Sequence, residues 1–160
     1  MKSILFVLVM MWSFTLTAQV LEPGLHPRAS AVLDVDLEGW RYGGAIGVHW
    51  VIFDGIALLI EGGGLVEDKK LVPYLGLSSV YLVGKKRNVL LGIGERVSFV
   101  ESGVGRIPET TLIGDIGFSP IKGTTVQFGV GNEMRFFTRF TNPDLPLFTP
   151  SLSMTLSIDF

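Results

Sequence analysis

The chain has 160 residues and a formal net charge of −2, a length that suits one domain and a charge that gives no electrostatic case for nucleic acid. It has no cysteine, which excludes disulfides, thiolate metal sites, a cysteine nucleophile and a lipid-modified N-terminal cysteine. Hydrophobic residues make up 48% of it, yet no apolar run approaches the roughly 20 residues that a spanning helix needs.

The first stretch reads as a cleavable signal peptide, residues 1–18. Lys2 supplies a positive start, an apolar run covers residues 4–12, and small and polar residues lead to a cut after Ala18. Residues 19–27 hold two prolines and a glycine. They read as a periplasmic lead-in before a barrel domain over residues 28–160.

From Arg28 onward the chain alternates between apolar and polar residues in segments. Strand side chains alternate at period two, so each segment is a strand with an oily and a polar face. Residues 28–38 place Ala31, Leu33, Val35 and Leu37 on one face and Asp34 and Asp36 on the other. Residues 41–53 set Tyr42, Ile46, Val48, Trp50 and Ile52 against Gly43, Ala45, Gly47 and His49. Asp54-Gly55 is a strong two-residue hairpin signal. Residues 56–66 place Leu58, Ile60 and Val66 outward and Glu61 inward. After the polar turn 67–70, residues 71–83 are ambiguous in phase; Leu75, Leu77, Tyr81 and Val83 are taken as outward, with Pro73 near the strand start.

Residues 89–100 place Leu91, Ile93, Val97 and Phe99 outward and Arg96 inward. This phase sets Glu95 on the oily face, at a cost a bulge there would relieve. A glycine-rich loop is expected over 101–108. Residues 109–118 then place Leu112, Ile116 and Phe118 out and Thr111 and Asp115 in. Residues 124–137 place Val126, Phe128, Val130, Met134 and Phe136 out and Gln127, Glu133 and Arg135 in, and the proline-rich stretch 138–150 reads as the longest loop. The last strand, 151–160, alternates without a break: Leu152, Met154, Leu156, Ile158 and Phe160 against Ser151, Ser153, Thr155, Ser157 and Asp159. Ten such residues are about the length that crosses a bilayer at a tilt of roughly 45°.

The segments number eight. An even count returns the chain to its starting side, and eight is the size whose interior side chains can just fill. Trp40, Tyr42, Trp50, Tyr74, Tyr81, Phe99, Phe118, Phe136 and Phe160 fall at or near strand ends, as aromatic belts at two lipid interfaces would have it. The expected fold is all-β: an eight-stranded, antiparallel, up-and-down transmembrane β-barrel preceded by a cleavable signal peptide.

The signal peptide, strand count, turn spacing and terminal Phe160 behind alternate apolar residues together resemble the small eight-stranded outer-membrane barrels, the group of the outer-membrane protein A membrane domain and its X and W relatives. That resemblance implies the outer membrane of a Gram-negative-type bacterium, contact with lipid and lipopolysaccharide, and recognition of the last strand by the barrel-assembly machinery. It implies a monomer with no cofactor. With the chain stopping at Phe160, no wall-tethering domain is expected.

Parity turns Asp34, Asp36, His49, Glu61, Arg96, Asp115, Glu133 and Arg135 inward. Charges in a narrow low-dielectric barrel must be paired or hydrated, so these residues read as a polar network plugging the lumen. The same groups could instead line a narrow path that favours cations. His49 could serve a lipid-A-modifying enzyme, although no serine stands beside it; a hydrogen-bonded interior histidine is the simpler reading. Two histidines and irregularly spaced carboxylates argue against a metal site. Gly62-Gly63-Gly64 lacks the Lys and Ser/Thr of a phosphate loop. Lys69 and Lys70 would sit at the outer rim, within reach of lipopolysaccharide phosphates, but a solvated turn accounts for them. The expected role is non-enzymatic, in envelope structure or surface contact. A secreted soluble β-barrel or sandwich binding an apolar ligand is a third class.

Overall fold

A computed structural model describes residues 22–53, 55–83, 89–102, 105–121 and 124–160; the expected signal peptide lies outside them. The strands are β1 (Gly24–Asp36), β2 (Trp40–Phe53), β3 (Ile56–Glu67), β4 (Lys70–Val83), β5 (Val89–Ser102), β6 (Gly105–Ile121), β7 (Thr124–Met134) and β8 (Phe148–Asp159), with one short helix, α1 (Phe136–Thr141), between β7 and β8. Each strand pairs antiparallel with its sequence neighbours, and β8 pairs back to β1, so the sheet is a closed barrel. Closure leaves no edge strand. Both ends of the sheet lie at one rim, the terminal end; α1 and the turns after β1 and β3 lie at the other, the loop end.

The alternation seen in the sequence sorts the barrel inside out. Ile46 is 75% exposed, Ile93 70% and Val130 65%, whereas Asp34, His49 and Glu133 are at most 1% exposed. The expected outward sets of all eight strands face out, including those of β4, whose phase the sequence left ambiguous. The exception is Phe136, which lies in α1 rather than at the end of β7. Tyr74, expected near an outer belt, points inward and is buried. Its parity with Val72 and Val80 overrides the preference of a tyrosine for the interface.

Strand ends moved more than strand phases. β1 begins at Gly24 rather than Arg28, because Leu25 and His26 continue the ladder opposite Trp50 and His49. His26, expected in the lead-in, is therefore a strand residue like His49. The expected loop over 101–108 is largely strand, with β5 and β6 paired out to Ser102 and Gly105. Prolines explain why the sequence misled there. Pro27, Pro73, Pro108 and Pro150 each pair on one side; the ladder on the other side starts one residue away for Pro27, Pro73 and Pro150, at Arg28, Tyr74 and Ser151, and two residues away for Pro108, at Thr110. A missing N–H breaks no bond where a ladder has already ended. Pro120 falls in the register shift between Phe118 and Ile121.

Inside, Val51, Ala57, Leu59, Val80 and Leu90 pack as an apolar cluster in the terminal half of β2–β5, with Leu82 against them. A second cluster, Val32, Ala45, Leu65 and Tyr74, lies nearer the loop end. Between β2 and β3 the wall curves tightly: a Cβ on Gly43 would stand 1.9 Å from the Gly64 carbonyl oxygen, and one on Gly63 2.3 Å from that of Gly44. Only glycine permits that approach. Most of the remaining lumen is polar, with Ile107 and Ile113 as apolar exceptions.

Candidate functional site: the polar lumen

At the loop end, the Asp36 side chain is fixed first. Its Oδ1 accepts the amides of Glu38 (2.7 Å) and Gly39 (3.0 Å), closing the turn into β2. Its Oδ2 then accepts Arg41 Nη2 at 2.7 Å, and the same nitrogen lies 2.7 Å from Glu133 Oε2 on β7. Arg135 Nε lies 3.7 Å from Glu133 Oε1, and Arg135 Nη1 donates to Glu38. Thr138 on α1 donates to Glu109 on β6, which ties the helix across this mouth.

At mid-depth Arg96 donates to Asp34, and its guanidinium sits 5.3 Å from the Tyr74 ring centroid, a cation–π contact. The Tyr74 hydroxyl reaches Glu61 Oε1 at 3.4 Å. Toward the terminal end Arg28 donates to Gln127, whose amide donates to Asp115 at 3.1 Å. Asp159 lies 3.9 Å from Arg28 Nη1 and 3.5 Å from His49 Nδ1. A cavity of about 50 Å³ separates these two tiers, lined by Arg28, Glu61, Arg96, Asp115, Gln127 and Thr155 among others. That is room for a few water molecules rather than a solute.

All eight sequence-selected residues thus face the lumen. Arg96 meets Asp34, and Arg135 meets Glu133, which the sequence puts within its reach, and also Glu38. Arg28, Arg41, Glu38, Glu109 and Asp159 were not selected. Parity alone would have added Arg41, which shares its face with Gly43 and His49, and Asp159, which shares its face with Ser157. What parity cannot supply is the pairing across the lumen, since Arg41 and Glu133 are joined only by closure. Leu152, Met154, Leu156, Ile158 and Phe160 of the closing strand face outward and are exposed. Among the described residues no group of three or more metal-ligating side chains converges.

The sequence matches no protein-family model, and no curated protein matches it significantly. Among solved structures the chain is similar to one from a study titled "De novo design of transmembrane beta-barrels", with a TM-score of 0.56 and 8% identity, covering 88% of this chain and 98% of that one. It is also similar to Neisserial surface protein A, with a TM-score of 0.48 and 12% identity, covering 85% of this chain and 96% of that one. At these identities the first likeness speaks for the eight-stranded barrel fold alone.

Proposed function

We propose that this chain is an integral outer-membrane barrel whose role is structural or in surface contact, without catalysis of its own. The observation that carries the reading is the reversal of polarity. Leu75, Leu77, Ile93, Val130 and Leu152 lie exposed on the wall while charged pairs are buried behind them. In water that arrangement would expose the oily face and bury the ions. In lipid it satisfies both, because a closed sheet leaves no backbone group unpaired.

The lumen reads as plugged. Aliphatic side chains fill one side of the terminal half, ion pairs cross the loop half, and the intervening cavity is about 50 Å³. Planar-bilayer recordings are expected to show no stepwise conductance; regular cation-selective steps would favour the narrow-path reading. His49 gives little support to a lipid-modifying enzyme, since it faces the lumen and is 1% exposed; Asp159 lies 3.5 Å from its Nδ1, but among the described residues neither ring nitrogen makes a hydrogen bond, contrary to the hydrogen-bonded histidine expected from the sequence. Lipid and lipopolysaccharide are the surroundings this reading assigns, and the closing strand is the segment it assigns to the assembly machinery.

The test combines location and energetics. The protein should fractionate with outer membranes and migrate differently on a denaturing gel before and after boiling. Val130→Arg, at mid-wall with Gly114 and Leu152 as its cross-strand partners, should cost about 2–4 kcal/mol of folding stability in lipid vesicles, and Leu71→Arg near the rim about 0–1 kcal/mol. Equal costs at the two depths, or recovery in the soluble fraction, would overturn the membrane reading.

A further inference from the structure

The chain has two histidines, and the fold brings them together. His26 and His49 stand directly opposite each other in the β1–β2 ladder. Residues so paired point to the same side of a sheet, with Cβ atoms about 4.5–5.5 Å apart. That side is the lumen, since His49 is 1% exposed. The pair sits just inside the terminal mouth, where His26 is half-buried and reachable from solution.

Each ring has one nitrogen beside an acceptor and one without. His26 Nε2 donates to the Glu22 carbonyl at 2.8 Å. A carbonyl only accepts, so this nitrogen carries the proton and Nδ1 keeps the lone pair. On His49, the Asp159 carboxylate lies 3.5 Å from Nδ1, while Nε2 is buried with no hydrogen-bond partner among the described residues. Arg28, the neighbouring cation on β1, is engaged elsewhere: it donates to Gln127 and faces Asp159. Metal-bound histidines show this same division. One nitrogen holds the ion and the other is turned to a carboxylate or a backbone carbonyl, which fixes the tautomer and the ring.

We infer that His26 Nδ1 and His49 Nε2 form a two-nitrogen site for a borderline divalent transition ion, Zn²⁺ or Ni²⁺, with the Glu22 carbonyl and Asp159 supporting the rings from behind. Imidazole suits these ions, whereas Mg²⁺ and Ca²⁺ take oxygen ligands. Two side chains supply the protein's share and water completes the shell, in keeping with the absence of a third converging ligand among the described residues. The sequence argued against a metal because it left His26 in the lead-in; a pair that exists only across a ladder has no signature in spacing along the chain. An ion held by both rings clamps the first strand to the second beside the seam that Asp159 helps to form. The inference rests on the closed barrel and not on the lipid around it.

The untagged chain, refolded into phosphatidylcholine vesicles, would be titrated with zinc chloride and with nickel chloride by calorimetry. One ion per chain is the expected stoichiometry, and zinc should raise the urea midpoint of unfolding, as a ligand confined to the folded state does. His26→Ala should weaken binding at least tenfold and abolish the zinc-dependent rise, while keeping the heat-modifiable mobility of the unsubstituted chain. His49→Ala should weaken binding as much; because His49 is buried, the half-buried His26 decides the matter if that variant fails to fold. Asp159→Asn leaves both ring nitrogens in place and should weaken binding about 10–100-fold. A hundredfold excess of magnesium should not compete. Three outcomes would overturn the proposal: no saturable zinc or nickel binding, binding unchanged in a folded His26→Ala, or displacement of the bound ion by magnesium. A heat-modifiable barrel that takes up no zinc would remove the metal site and spare the membrane reading.

Discussion

The ion pairs of the barrel differ in worth by their surroundings. Lys70 and Glu101 lie 3.5 Å apart but are 68% and 53% exposed, so that pair contributes about 0–1 kcal/mol. Asp34 and Arg96 are 0% and 7% exposed, and Asp34 is the only carboxylate within ion-pair distance of Arg96 among the described residues. Asp34→Asn strands a buried guanidinium and should lower stability by about 3–5 kcal/mol. The double variant Asp34→Leu with Arg96→Met should recover most of that loss, because a buried pair replaced by apolar groups is close to neutral. Urea titrations of vesicle-refolded protein would measure the cycle; a double variant as unstable as the single one would refute the account. Which residues face inward was legible in the sequence, because parity is local. Which of them meet was not, because Arg41 and Glu133 stand 92 positions apart and closure alone joins them.

Among the elements, phases were readable and boundaries were not. Period-two alternation placed even Glu95 correctly on the oily face, where no bulge turns it aside because register runs unbroken through it on both flanks; its discordance was a true feature of the wall rather than an error of register. The ends of β1, β5 and β6 were misjudged because proline and glycine normally announce loops. Here the prolines sit where one ladder has ended and the other continues, a fact set by a neighbouring strand and invisible in the segment itself. Tight curvature between β2 and β3 also has an elemental cause. Gly43→Val would drive a side chain into the Gly64 carbonyl, 1.9 Å from the ideal Cβ, whereas Gly114→Ala meets nothing within 4 Å. The first should fail to reach the heat-resistant, altered-mobility form on a gel and the second should reach it as the unsubstituted chain does. Normal assembly of Gly43→Val would show that the strands can part there at little cost.

For the molecule as a whole, cross-strand partners followed from Leu25 through Trp50, Leu58, Ser79, Ile93, Gly114, Val130 and Leu152 return to β1 at Val35, so eight strands staggered by ten residues give a cylinder that its own side chains nearly fill. The seam is made by β8, which pairs with β7 on one side and β1 on the other, and the Phe160 amide adds a final bond to the Pro27 carbonyl at 2.8 Å. Deleting Phe160 removes that bond and the last outward aromatic. The truncated chain should insert into outer membranes at a markedly lower yield than the full chain, read as the heat-modifiable fraction in isolated membranes. Undiminished yield would remove the terminal residue from the assembly signal.

The same seam dictates the order of events in the life of the protein. Arg28 faces Asp159 across it, so the first strand to leave the ribosome waits for the last. Until that partner arrives, seven hairpin-linked segments have two raw margins and an oily flank with no solvent to suit it. Such a chain cannot finish in stages as a helical bundle can. On the membrane reading, sealing is a single late step that takes place where lipid can receive the oily flank.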